Sequence, residues 1–96
     1  MTEIRQTAEY QSWFEQLRDR NARARILARV RRLSLGNSGD VKPVGEGVSE
    51  LRITYGPGYR VYFTRMGRAL IVLLFGGDKS NQRRDIERAI QIARNL

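Results

Sequence analysis

Seven apolar residues in a row, Ala69–Phe75, lie between two turn signals, Met66-Gly67-Arg68 and Gly76-Gly77-Asp78. A run that short and that tightly bracketed predicts a central strand buried on both faces, because a helix needs more length. Upstream of it the apolar period is two. Leu51, Ile53 and Tyr55 alternate with Glu50, Arg52 and Thr54, and after Gly56-Pro57-Gly58 the residues Tyr59, Val61 and Phe63 alternate with Arg60, Tyr62 and Thr64. Three strands joined by tight turns make an antiparallel meander. Val41–Val44 predicts a short edge strand before it, within a loop that runs from Gly36 to Gly47.

Towards the N-terminus the period is 3.6. Residues 2–7 read as a short strand, and Thr7 as a helix N-cap with Glu9 in the first turn. Tyr10, Trp13, Phe14 and Leu17 then mark one buried helical face. Asp19-Arg20-Asn21 interrupts it, Ile26, Leu27, Val30 and Leu33 resume it, and Gly36-Asn37 stops it. A last helix, capped by Ser80 or Asn81, buries Ile86, Ala89, Ile90 and Ala93. The order β-α-α-β-β-β-β-α predicts one α+β domain over residues 1–96. Its N-terminal helical hairpin packs on a twisted, mainly antiparallel sheet, with a C-terminal helix.

Composition narrows the chemistry. The chain has neither cysteine nor histidine. Disulfides, thiolate nucleophiles, histidine general bases and zinc sites of the ordinary kinds are all excluded, and no cofactor is expected. Eighteen basic residues against ten acidic give a net charge of +8, and sixteen of the basic residues are arginine. Arginine holds its charge at any physiological pH and presents a planar fork to phosphate. Nucleic acid or an acidic protein is the expected partner. No apolar stretch approaches a membrane span, and Met1–Thr7 have no signal-peptide character; a cytoplasmic protein with no membrane partner is expected.

Three basic clusters stand out. Arg25, Arg29 and Arg32 fall on one face of the second helix, a stripe that suits a phosphate backbone or an acidic helix. A helix-turn-helix does not fit, since a sheet follows and not a third helix. Arg52 and Arg60 lie on the two arms of the Gly56-Pro57-Gly58 hairpin; counted from Pro57 they share a face without standing directly opposite. Tyr62 joins them, and arginine beside an aromatic on a sheet face can grip phosphate and stack a base. The third cluster is Gly76-Gly77-Asp78-Lys79-Ser80, where a strand meets a helix N-terminus that attracts anions. It lacks the spacing of a phosphate-binding loop. Arg83 and Arg84 follow against the helix dipole, which hints at an anionic partner.

Trp13-Phe14 on the first helix, Glu50-Leu51-Arg52-Ile53, Gly58-Tyr59-Arg60-Val61-Tyr62-Phe63 and Leu73-Leu74-Phe75-Gly76-Gly77-Asp78-Lys79-Ser80 occur in that order. Together they resemble the RelE/ParE toxin superfamily, and most of all its addiction-module killer-protein branch, close to HigB. The resemblance implies a helical hairpin on an antiparallel sheet and the toxin of a bacterial type II toxin–antitoxin pair. RelE-like and HigB-like members cut messenger RNA in the ribosomal A site, which implies a metal-independent endoribonuclease that inhibits translation. ParE-like members instead poison DNA gyrase, and a nucleic-acid-binding module without chemistry is the third reading.

The resemblance carries the catalytic set onto Arg60, Arg52 and Lys79. Tyr62, Arg83, Arg84, Arg65 and Arg68 become candidates for RNA binding, and Arg25, Arg29 and Arg32 for antitoxin binding. Residues 79–96 contain no tyrosine, so the proton acceptor falls to Lys79, Asp78, Glu50 or ribosomal RNA. The implied partners are the ribosome with its mRNA and a helix-turn-helix antitoxin like HigA, through which operator DNA would be reached.

Overall fold

The computed structural model describes residues 2–96. Its elements are β1 (Glu3–Gln6), α1 (Ala8–Glu15), α2 (Arg20–Ser34), β2 (Val41–Gly45), β3 (Val48–Ile53), β4 (Tyr59–Met66), β5 (Leu70–Gly77), a 3₁₀ turn (Lys79–Asn81) and α3 (Gln82–Arg94). The five strands form one sheet in the order β1-β5-β4-β3-β2. β1 pairs parallel with β5 and the other pairings are antiparallel.

Local chemistry sets the helix ends. The Thr7 hydroxyl accepts the Tyr10 N–H at 3.0 Å and donates to the Leu74 carbonyl at 2.7 Å, so one side chain caps α1 and fixes it to β5. Asp19, read in the sequence only as an interruption, is the N-cap of α2. It accepts the N–H groups of Asn21 and Ala22 and the Tyr55 hydroxyl. At the other end Gly36 takes φ +92°, its N–H donates to Leu33 and that of Asn37 to Arg32. This is a Schellman stop, and it uses glycine's freedom in the left-handed region.

The core has two halves. Tyr10, Ile26, Val30 and Leu33 meet Leu51, Ile53, Val61, Phe63, Ile71 and Leu73 on one side of the sheet. Ala89 and Ile92 meet Val48, Tyr62, Val72 and Leu74 on the other. α1 lies mainly against β5 and α2 against β3. The two N-terminal helices share one core, as their stripes predict, and both lie on the sheet. A correction concerns the other face. The alternation in β3 and β4 predicts a polar, open surface there, and α3 covers it.

A bulge sets the details of β5. Tyr62 pairs with Phe75 and Phe63 with Leu73, so Leu74 is the extra residue. The pleat changes phase there, and the two glycines that follow are turned to opposite sides. A Cβ on Gly76 would stand 2.2 Å from the Trp13 ring, and one on Gly77 2.0 Å from the Asp85 carboxylate. These glycines admit a tryptophan on one face and the first turn of α3 on the other.

Two outcomes follow. Gly76→Ala is expected to lose about 1–3 kcal/mol by overpacking against the bulky Trp13 indole, and Gly77→Ala less, since it meets only a short carboxylate; urea unfolding of both variants checks the order. The hydrogen bonds from Ala22 and then Tyr55 hold the Asp19 carboxyl below the usual aspartate range. A depressed folded pKa gives stability that is present above the unfolded value and lost as pH falls through the folded one. Wild type should therefore exceed Asp19→Asn in stability near pH 6 and lose that margin as the pH falls below the ordinary aspartate range.

Candidate functional site

Five residues separate Ile53 from Tyr59, and those two are partners. The hairpin is thus centred on Gly56 and not on Pro57. Arg52 and Arg60 consequently stand directly opposite each other, which corrects the offset expected from the sequence. Arg60 is in turn the partner of Gly77 on β5. The row Arg52–Arg60–Gly77 crosses three strands and leads, two residues later, to Lys79. The hairpin tip closes on that segment, for the Lys79 N–H points at the Pro57 carbonyl at 3.4 Å. Arg52, Arg60 and Lys79 accordingly line one cleft of about 360 Å³, together with Asp40, Ile53, Thr54 and Gly58.

Two guanidinium groups side by side repel, and each has its own carboxylate. Asp40 Oδ1 accepts from Arg52 Nε at 3.0 Å and from Nη2 at 2.7 Å; this bond raises the Arg52 pKa further. Arg60 is 9% exposed and Glu50 0%. Their closest approach, Nε to Oε2, is 3.7 Å, an ion pair without a direct hydrogen bond. Glu50 instead accepts from Gln82 Nε2 at 3.0 and 3.3 Å. α3 thereby reaches through its first residue to the carboxylate that faces Arg60. Lys79 is exposed, and among the described residues no carboxylate lies within 4 Å of it.

Arg29 builds the cleft from behind. Its Nη1 donates to the Arg52 carbonyl at 2.6 Å and its Nη2 to Ser38 at 3.0 Å. Gly39 leaves room for that guanidinium, since a Cβ there would lie 2.9 Å from Nη2. The loop before β2 is so tied to β3, which brings Asp40 to Arg52. The sequence reading missed Asp40, and it places Arg29 on an open docking stripe; the correction is that Arg29 is spent on internal carbonyls.

Other expected residues fall elsewhere. Tyr62 cannot stack a base, because it is 0% exposed beneath α3. Among the described residues its hydroxyl has no hydrogen-bond partner, and burial followed by the nearby Glu50 pushes its pKa far up. Arg65 is exposed near the far end of β4, about 16 Å along the strand from Arg60, and Arg68 is exposed in the turn that follows. Arg83 and Arg84 are exposed on the first turn of α3. Arg25 and Arg32 are exposed on α2. Gly76-Gly77-Asp78 is not an anion nest: the glycines belong to β5, and Asp78 itself accepts the Ser80 N–H.

Residues 12–96, which include every residue of the cleft, match the family described as phage-derived protein Gp49-like (DUF891). The chain belongs to that family. An uncharacterized protein from Haemophilus influenzae is 46% identical over 94 residues, covering 98% of this chain and 95% of that protein. In this Gp49-like chain, as in any fold, removing one member of a buried ion pair leaves the other charge stranded. Glu50→Ala is expected to cost about 3–5 kcal/mol, and the joint change Glu50→Leu with Arg60→Met much less. Equal losses in urea unfolding would show that the cost of Glu50→Ala is not that of a stranded Arg60 charge.

Proposed function

We propose that this Gp49-like protein is the toxin of a type II toxin–antitoxin pair, and that it acts as a ribosome-dependent endoribonuclease of the HigB-like kind. The observation that carries this reading is the convergence of Arg52, Arg60 and Lys79 from three separate segments on one cleft. Membership of the Gp49-like family and the toxin-like blocks support it. Arg60 supports it most. A guanidinium that is 9% exposed and faces a buried carboxylate at 3.7 Å has little room to move, and preorganised charge is what stabilises a phosphorane-like transition state.

In the proposed reaction the ribose 2′-oxygen attacks the adjacent phosphorus and the bond to the 5′-oxygen breaks. A 2′,3′-cyclic phosphate and a 5′-hydroxyl remain. Arg60 and Arg52 hold the non-bridging oxygens, and Lys79 gives a proton to the departing 5′-oxygen. The 2′-hydroxyl proton needs an acceptor. Glu50 is closed off and Asp78 is engaged in its cap, which takes both off the sequence-based slate. Asp40 lines the cleft, and both of its bonds to Arg52 use Oδ1. Its Oδ2 is the acceptor we assign. No step requires a metal.

The proposed partners are the ribosome with mRNA, and a helix-turn-helix antitoxin whose acidic segment neutralises the cleft and through which operator DNA is reached. The cytoplasm is the proposed compartment; no described helix is long and apolar enough to cross a membrane.

The test is end-mapping of mRNA on purified ribosomes. Wild type should leave A-site cuts with cyclic phosphate ends, unaffected by chelator. Lys79→Ala, at an exposed side chain, and Arg60→Lys should each slow cleavage by about 10²–10³-fold. Asp40→Asn should slow it while tightening RNA binding, because the amide no longer offsets the charge of Arg52. Intact transcripts together with gyrase-dependent plasmid linearisation would overturn the nuclease reading in favour of a gyrase poison.

A further inference from the structure

α2 and the end of β3 enclose a second cleft, of about 330 Å³, lined by Arg25, Ala28, Arg29, Arg32, Ile53 and Thr54. Ile53 and Thr54 also line the first cleft. The two depressions therefore meet where the chain leaves β3, and exposed Thr54 is the lip between them. We propose that they form one continuous track for a single RNA strand, with Arg25 and Arg32 holding phosphates beside the one seated at Arg60 and Lys79. This rests on the reading of the first cleft as an RNA site and extends it to the neighbouring nucleotides.

The charges differ between the two clefts. In the first, Asp40 and Glu50 offset two of the three cations. The second holds three arginines and no acidic side chain. Among the described residues no carboxylate lies within 4 Å of Arg25 or Arg32. Burial and then the charge of Arg32 lower the Arg29 pKa, against a smaller opposing pull from Asp40, so the cations of this cleft crowd one another. A bound anion relieves that crowding. The Arg25 guanidinium carbon lies over the Tyr55 ring, 4.6 Å from its centroid, a contact that favours this placement of its fork. Arg25 and Arg32 are about 10 Å apart along the helix axis, enough for more than one phosphate.

A polynucleotide fits better than an acidic protein. Ile53 is the one large apolar side chain lining the cleft, whereas a protein partner needs an apolar centre to its interface. Exposed Leu27, which would supply one, is not among the lining residues.

The test uses the whole chain and two uncleavable probes, a 2′-deoxy-substituted RNA hexamer and the dinucleotide of the same chemistry. Each phosphate contact adds about 0.7 to the slope of log K against log salt for a single strand. The Arg25→Gln, Arg32→Gln pair should lower the hexamer slope by about 1.4, so that between about 50 and 200 mM salt wild type loses about sevenfold more affinity than the variant. Dinucleotide binding should not change. Arg29 is left intact because it anchors the loop. An unchanged hexamer slope, or an equal loss on the dinucleotide, overturns the track. So does a loss seen only with an acidic helical peptide, which would make α2 a protein-docking face. Lys79→Ala reports on the first cleft separately and should weaken both probes alike. If it changes neither, the reading of the first cleft fails and the track with it, whereas failure of the α2 pair alone overturns only the track.

Discussion

Glu50 and Arg60 face each other across β3 and β4 under the first turn of α3, at 0% and 9% exposure. Burying two charges costs several kcal/mol each before their attraction is counted, and apolar residues of similar size would serve stability at least as well. Their presence constrains everything around them. Gln82 must sit where its amide reaches Glu50, which fixes the start of α3. Gly77 must lack a side chain so that Asp85 and the first turn of α3 can approach β5. The 3₁₀ turn, capped by Asp78, then carries Lys79 to the rim of the cleft. A charge placed in the core at the expense of stability is what aims Arg60 into the cleft.

The two faces of the sheet divide the work. The face under α1 and α2 is apolar throughout its buried centre, and aromatic contacts among Tyr10, Trp13, Phe14 and Tyr59 close one end of it. The face under α3 mixes Val48, Tyr62, Val72 and Leu74 with the Glu50–Arg60 pair. Arg29 reaches across from the first side to the Arg52 carbonyl and ties α2 to the strand that bears the cleft. Movement of either helix would therefore be felt at the arginine row.

The periodicities of 3.6 and 2, the seven-residue apolar run and the glycine stops place every strand and helix in the right order, because each element is encoded by its own side chains. Three features escape such reading. The bulge at Leu74 depends on how β5 is held between β4 and β1, not on its own composition. The hairpin centre moves from Pro57 to Gly56 because Ile53 and Tyr59 pair across five residues, and a proline draws the eye without fixing the register. The burial of Tyr62 and Glu50 depends on α3, whose apolar stripe says that it packs but not on which face. Arg52, Arg60 and Lys79 were legible as basic residues near turns. Asp40, which offsets one of them, stood in a loop of small polar residues with nothing local to mark it.

The same contrast bears on the arginines as a group. Net charge treats all sixteen alike, but the structure does not. Arg5, Arg52, Arg60, Arg88 and Arg94 face carboxylates, and Arg29 is held by two carbonyls. Arg23 and Arg65 lie over phenyl rings. The charge left to act on a polyanion is concentrated on what remains, chiefly α2, the first turn of α3 and Lys79. Of these, Lys79 borders the first cleft and Arg25 and Arg32 the second. If the clefts take RNA as proposed, these exposed cations would draw the phosphate chain in over a Debye length of about 8 Å at physiological salt. Arg60 and its buried carboxylate would then act at contact, where geometry matters more than added charge. Attraction and chemistry would fall to different side chains, and the division follows from which arginines the fold has already paired.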